Sequence, residues 1–195
     1  MIIFYNKLKI TQKTLDIIDV VDYYLYDREN KERDVINNEL SILSSRKDKV
    51  LSVDDVDLAL KYNLAGVCLI KNKKNLSITG KLMQDKLIFY YSSDISDLIK
   101  SSNIEVDTMI LEGSSLNEEE FNYIYKMVDS KLCIYTDSPS EISQSIRNRI
   151  SGYCFSFYIY SDYLEKINKL NWHCLHFIFI LNYYIKFNFK FIGYK

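Results

Sequence analysis

The stretch Leu51–Ile70, "LSVDDVDLALKYNLAGVCLI", decides the fold. It opens on a short apolar run, meets the pair Asp54 and Asp55, passes through helix-favouring "VDLALKYN", and ends on a second apolar run, "GVCLI". Runs that are apolar at consecutive positions bury both faces, as parallel strands do when helices cover the sheet. The unit is so short that only one helix fits between its strands. An aspartate between a strand and a helix is a natural N-cap. The same place, the C-terminal end of a strand, is where barrel enzymes keep their chemistry. The aspartate pair is therefore a cap, a ligand, or one of each.

Working outward, the same unit recurs. Apolar runs stand at 2–5 (IIFY), 22–26 (DYYLY), 49–53 (KVLSV), 66–70 (GVCLI), 86–91 (KLIFYY), 107–111 (DTMIL), 131–135 (KLCIY) and 152–159 (GYCFSFYI). Eight such runs predict a single-domain α/β protein, a TIM (β/α)8 barrel. The intervening stretches carry helical spacing. Phe121, Ile124, Tyr125 and Val128 fall at i, i+3, i+4 and i+7 and predict one buried face. In "SPSEISQSIRNRI", Ser138 is placed to cap a helix with Pro139 in its first turn and Glu141 completing a capping box. "SSDISDLIK" begins with similar cap chemistry. A doubly wound open sheet would want a Gly-rich first turn, and the first run here leads into "NKLKITQK".

Composition narrows the function classes. Lys plus Arg number 25 against 26 Asp plus Glu, for a net charge of -1, so no basic excess exists to neutralise a nucleic-acid backbone. The first residues, "MIIFYNKLKI", lack the charged region and cleavage site of a secretory leader. Of four cysteines, Cys68, Cys133 and Cys154 sit inside apolar runs, where a thiol behaves as a small hydrophobe, and Cys174 lies further on. A reduced, cytoplasmic setting without a membrane role is expected.

Four stretches resemble the thiamine phosphate synthase/TenI family. "VDYYLYDREN" (21–30) is similar to the family's second strand, Val-Asp-Tyr-Ile-Gln-x-Arg-Glu-Lys. "LSVDDVDLALKYNLAGVCLI" resembles Ile-Asn-Asp-Arg-Val-Asp-Leu-Ala followed by Gly-Ala-Asp-Gly-Val-His-Leu. "KLIFYYSSDISDLIK" resembles Ile-Ile-Gly-Val-Ser with a Leu-Glu-Glu-Ala helix. "CIYTDSPSEISQSIRNRISGYCFSFYI" resembles an Ala-Ile-Gly-Gly-Ile-Thr phosphate loop, its helix and a Gly-Val-Ala-Val-Ile-Ser strand. Order and spacing cover most of residues 2–160. The resemblance implies the barrel again. It also implies a reaction in which pyrophosphate leaves a pyrimidine and a thiazole phosphate attacks, with Mg²⁺ on the pyrophosphate.

Carried over position by position, the resemblance implies Arg28 as the pyrophosphate arginine and Asp54 as the metal-binding carboxylate. Asn72 stands near the second metal carboxylate, beside Lys71 and Lys73. Tyr91, Thr136, Asp137 and Ser156 fall at substrate- and phosphate-binding positions. The departures are heavy. Val53 replaces an asparagine, Asn30 a lysine, and Thr136 and Asp137 the Gly-Gly pair whose amides approach phosphate. The lysine-bearing loop after strand six shrinks to "EGSSLNEEE". One carboxylate is a poor Mg²⁺ site without phosphate help. The expectation is a diverged member tied to thiamine biosynthesis, with transferase activity weak or lost. The alternatives are an active synthase on thiazole phosphate and pyrimidine pyrophosphate, an isomerase of the TenI kind, or a non-enzymatic interaction protein. The partner expected is a phosphorylated thiazole or pyrimidine, with Mg²⁺ if the protein is active; homo-oligomerisation stays open. TenI chemistry uses a histidine, and no histidine occurs before His173.

Ordinary readings stand beside these. Arg28 could pair with Glu29 or Glu32 on the surface, and Lys71, Lys73 and Lys74 read first as a solvated loop. His173 and His176 bracket Cys174 with no fourth metal ligand nearby. The barrel is expected over 1–170. Residues 171–195 form an aromatic-rich tail with no charged residue from Asn171 to Ile185. That uncharged run is shorter than the roughly 18 apolar residues of a spanning helix. The tail reads either as the product of a frame change near Leu170 or as a segment that packs on a partner or membrane surface. Its removal is expected to spare the fold.

Overall fold

The computed structural model describes residues 1–70, 79, 83, 85–94, 96–98, 106–113, 116–136 and 138–156. Asn72, Asp137, the lysines at 71, 73 and 74, both histidines and the 171–195 tail lie outside the described residues. Strands β1 (Ile2–Asn6), β2 (Tyr23–Tyr26), β3 (Val50–Val53), β4 (Gly66–Leu69), β5 (Leu87–Ser92), β6 (Thr108–Glu112), β7 (Lys131–Tyr135) and β8 (Gly152–Ser156) close into one barrel. Every neighbouring pair is parallel, including β8 with β1, where Ile3 is opposite Cys154. Each of the eight apolar runs holds a strand, the last described as far as Ser156, and the sheet has no edge.

The barrel interior is filled by Ile3, Leu25, Leu51, Val53, Cys68, Phe89, Ile110, Cys133 and Cys154, with Tyr5, Tyr91 and Tyr135 packed against them. The residues between these alternate outward and are buried too: Phe4, Tyr24, Val67, Tyr90, Met109, Ile134 and Phe155. Burial on both sides explains why the runs read as unbroken apolar stretches. Cys68, Cys133 and Cys154 are free and buried, as small core side chains.

Helices α1 (Gln12–Val20), α2 (Arg33–Ile42), α3 (Val56–Lys61), α4 (Glu118–Met127) and α5 (Gln144–Arg147) follow their strands. Helix α4 starts where Asn117 accepts from the Glu120 amide, and the Glu120 carboxylate accepts from the Asn117 amide in return. It buries Phe121 and Ile124, and each such side chain contributes about 1.5–3 kcal/mol. Tyr125, expected on that face, is instead 45% exposed. Its ring stacks on Phe121 at 5.8 Å beneath the Arg149 guanidinium, so it covers the core from its rim. The cap expected at Ser138 is also displaced. Pro139–Glu141 form one 3₁₀ turn, Ile142 goes extended and buried, and Ser143 caps α5 by accepting from the Ile146 amide. Burial of Ile142 outweighs the local capping pattern. Among the described residues, no helix is long and apolar enough to cross a membrane.

A candidate ligand site at the barrel mouth

The strand ends meet in a pocket of about 580 Å³. Seven strands supply a wall residue, Tyr5 from β1, Leu25 from β2, Val53 from β3, Tyr91 from β5, Glu112 from β6, Tyr135 from β7 and Cys154 from β8, with Asp27 and Ile70 just past β2 and β4. Inward alternation selects them. Asp27 lies two residues beyond Leu25, and Glu112 two beyond Ile110, so both continue an inward row past the apolar core.

The aspartate pair divides its labour. Asp55 is the helix cap: its Oδ1 accepts from the Leu58 amide at 2.9 Å, and its side chain is almost fully buried. Arg28 approaches its Oδ2 at 2.5 Å through Nε, although no hydrogen bond is formed at that oxygen, so the contact is an ion pair of poor alignment. Arg28 therefore pairs with Asp55, which lies 27 positions further along the chain. Asp54 takes a left-handed backbone, φ 51°, and its Oδ1 accepts from the Ile70 amide at 2.8 Å. That bond ties the end of β3 to the end of β4. Replacing Asp55 by alanine removes the α3 cap and frees Arg28, whose side chain is half exposed and can be solvated. The expected loss is about 1–2 kcal/mol in a urea melt, close to that of other helix caps.

Two tyrosine–carboxylate pairs complete the mouth. The Tyr5 hydroxyl donates to Asp27 Oδ2 at 2.8 Å, while Asp27 Oδ1 accepts from the Glu29 amide at 2.8 Å. The Tyr91 hydroxyl donates to Glu112 Oε2. Burial, and then the hydrogen bond to each carboxylate, pushes both phenols far above their ordinary range, so they remain protonated donors. Tyr91 and Tyr135 meet edge to face, 5.8 Å between centroids and 82° between planes. At the floor, burial holds the Cys154 thiol far above its ordinary range, which leaves it neutral.

Of the residues expected at the site, Arg28, Asp54 and Tyr91 line the pocket together. Thr136 is nearly buried and outside the lining; its Oγ1 accepts from the Ser138 amide, closing a turn. Ser156 ends β8 opposite Tyr5, also outside the lining. Asp27, Glu112, Tyr5 and Tyr135 were not expected; an acid two positions past an inward apolar residue was the signal available for the first two.

Mg²⁺ demands several oxygens in near-octahedral array. Asp54 and Asp55 are engaged as described, and the described residues contain no group of three or more His, Cys, Asp or Glu side chains disposed to hold a metal ion. Among the described residues, the donor set does not fit the ion.

No family model and no curated protein matches the sequence. Solved structures do match. A thiamine phosphate pyrophosphorylase from Pyrococcus furiosus superposes with a TM-score of 0.63 at 10% identity, covering 80% of this chain and 84% of that one. The enzyme of the same name from Bacteroides thetaiotaomicron gives 0.58 at 13% identity, over 80% and 82%. An aldolase/citrate lyase family protein from Burkholderia cenocepacia gives 0.59 at 7% identity, over 90% and 94%. The likeness is one of fold. At these identities it establishes the (β/α)8 barrel and includes thiamine phosphate pyrophosphorylases among several barrel families.

Proposed function

We propose that the protein is a diverged barrel of the thiamine phosphate synthase/TenI type that binds a small molecule at its mouth and has lost efficient pyrophosphate transfer. One observation carries this reading. Among the described residues the pocket is lined by five carboxylates, Asp27, Glu29, Asp54, Asp55 and Glu112, against two cations, Lys7 and Arg28. Arg28 is already committed to Asp55. Pyrophosphate departure builds negative charge that cations or a metal must stabilise, and this lining opposes it. Asp54 then serves as the tie between β3 and β4, and the three buried free thiols suit a reducing compartment such as the cytoplasm.

The test is direct. Purified protein given thiazole phosphate, pyrimidine pyrophosphate and Mg²⁺ should form thiamine phosphate at no more than about a thousandth of an intact synthase's rate, a deficit of roughly 4 kcal/mol in barrier. Asp54→Ala should leave that residual rate where it is. Robust turnover that Asp54→Ala abolishes would overturn the reading.

A further inference from the structure

Among the described residues, the mouth holds a buried carboxylate with no cation paired to it. Asp27 is only 5% exposed, yet among the described residues no cation pairs with it; its contacts are the Tyr5 hydroxyl and the Glu29 amide. Buried carboxylates ordinarily have a cationic partner, because desolvating a lone charge is costly. Glu112, across the pocket, is likewise held by a phenol, and among the described residues no cation pairs with it. Both tyrosine hydroxyls spend their protons on these acids, so what they leave toward the cavity is acceptor capacity and electron-rich ring. The Tyr91–Tyr135 pair adds an aromatic corner. The Tyr5 ring already carries a cation over its face, Lys7 Nζ at 5.6 Å from the centroid. Carboxylates combined with tyrosine faces in a concave site select an organic cation, since the ring quadrupole and the carboxylate both attract positive charge. The same acids lack the third ligand that a metal ion would need among the described residues. The neutral Cys154 thiol at the floor contributes no charge of its own.

We infer that the mouth pocket binds an organic monocation, a protonated amine or quaternary ammonium on an aromatic body, with its charge between Asp27 and Glu112 and its body against Tyr91 and Tyr135. The inference rests on the reading that this pocket is a ligand site and not a working pyrophosphate-transfer centre.

Calorimetric titration of the full chain tests it with matched probes: benzyltrimethylammonium, benzyl alcohol, phenyl phosphate and MgCl₂ alone. The ammonium should bind at least about tenfold tighter than the alcohol, the factor that roughly 1.4 kcal/mol of charge recognition supplies. Phenyl phosphate and Mg²⁺ should give no saturable heat. Glu112→Gln and Tyr135→Leu should each weaken ammonium binding by about threefold to tenfold while keeping the wild-type circular dichroism, the range expected for one desolvated charge or ring. Asp27→Asn should do the same; should it fail to fold, the other two variants still decide. Equal binding of ammonium and alcohol, tighter binding of the phosphate, saturable Mg²⁺ that displaces the ammonium, or no ammonium binding at millimolar concentration would each overturn the inference. The transferase assay on the same preparation separates the two failures. Turnover sinks the reading of the site, whereas absent turnover with absent ammonium binding sinks only the choice of ligand.

Discussion

Glu39→Ala is expected to cost about 3–5 kcal/mol of folding free energy, the range found when one partner of a buried ion pair is removed. Glu39 is 2% exposed on α2. Its Oε2 accepts from the Tyr26 hydroxyl at 2.8 Å and from Lys31 Nζ at 3.0 Å, and its Oε1 accepts from the Ile10 amide at 2.8 Å. Lys31, also largely buried, donates to the Leu8 carbonyl and lies 4.5 Å from the Tyr26 ring centroid. Removing the carboxylate strands a buried ammonium, a buried phenol and a loop amide together. The whole stability of a domain is only about 5–15 kcal/mol, so the variant should show a large drop in its urea midpoint. Lys31→Met added to Glu39→Ala should recover part of the loss, because the uncompensated charge goes with it. A loss below about 1 kcal/mol, or a double variant worse than the sum of the singles, would contradict this account.

The same network has a functional consequence. It ties the segment after β1, with Lys7 and Leu8, to the segment after β2, with Asp27 through Lys31, and fastens both to α2. Those two segments supply Lys7, Asp27, Arg28 and Glu29 to the mouth. A Glu39 variant that still folds should therefore lose mouth geometry before it loses the barrel.

The fold was readable in the chain because each strand is buried on both faces. Val67, Cys68 and Leu69, or Met109, Ile110 and Leu111, are apolar without alternation, and that pattern has few explanations in so short a repeat. Helix starts were less readable wherever tertiary burial competed with a local motif. Ser138 had the capping pattern, but Ile142 and Ile146 needed the interior, and Ser143 became the cap. The site was the least readable part. Arg28 has acidic neighbours in sequence at Glu29 and Glu32, whereas its partner Asp55 arrives from the end of the next strand. Such juxtapositions come from closing the barrel and leave no local trace. Asp27 and Glu112 did leave one, in their parity with Leu25 and Ile110. Arg28 and Asp54 were legible through the motif and do line the pocket, whereas the acids around them were legible only by parity.

Gly66→Ala should be among the most damaging single-methyl additions in the barrel wall, together with Gly152→Ala, where the added Cβ would lie 1.8 Å from the Met1 carbonyl oxygen. A Cβ on Gly66 would lie 1.9 Å from the Leu87 carbonyl oxygen, 2.7 Å from its carbon and 2.9 Å from its Cα. All three atoms are backbone, so no side-chain rotation relieves the contact. The two strands cannot part cheaply either. The Leu87 amide donates to the Ala65 carbonyl at 3.0 Å, and the Ala65 amide donates back to the Val50 carbonyl at 2.8 Å, so β3, β4 and β5 are stitched together at this height. Lys86 adds a bond from Nζ to the Leu64 carbonyl. Closure makes the cost global, because a shift of β5 away from β4 must be passed to β6 and onward around the ring. Overpacking usually costs about 1–3 kcal/mol, and a collision with fixed backbone belongs above that range. Gly113→Ala is the control. Its nearest neighbour would be the Ile134 Cγ2 methyl at 2.6 Å, with the Tyr135 carbonyl oxygen at 2.9 Å, so it meets one backbone atom where Gly66 meets three, and less closely. Thermal and urea melts of the two variants should rank Gly66→Ala well below Gly113→Ala, with the first losing more than about 3 kcal/mol. Equal melts, or a Gly66→Ala variant within about 0.5 kcal/mol of the parent, would show that the β4–β5 seam is looser than these contacts require.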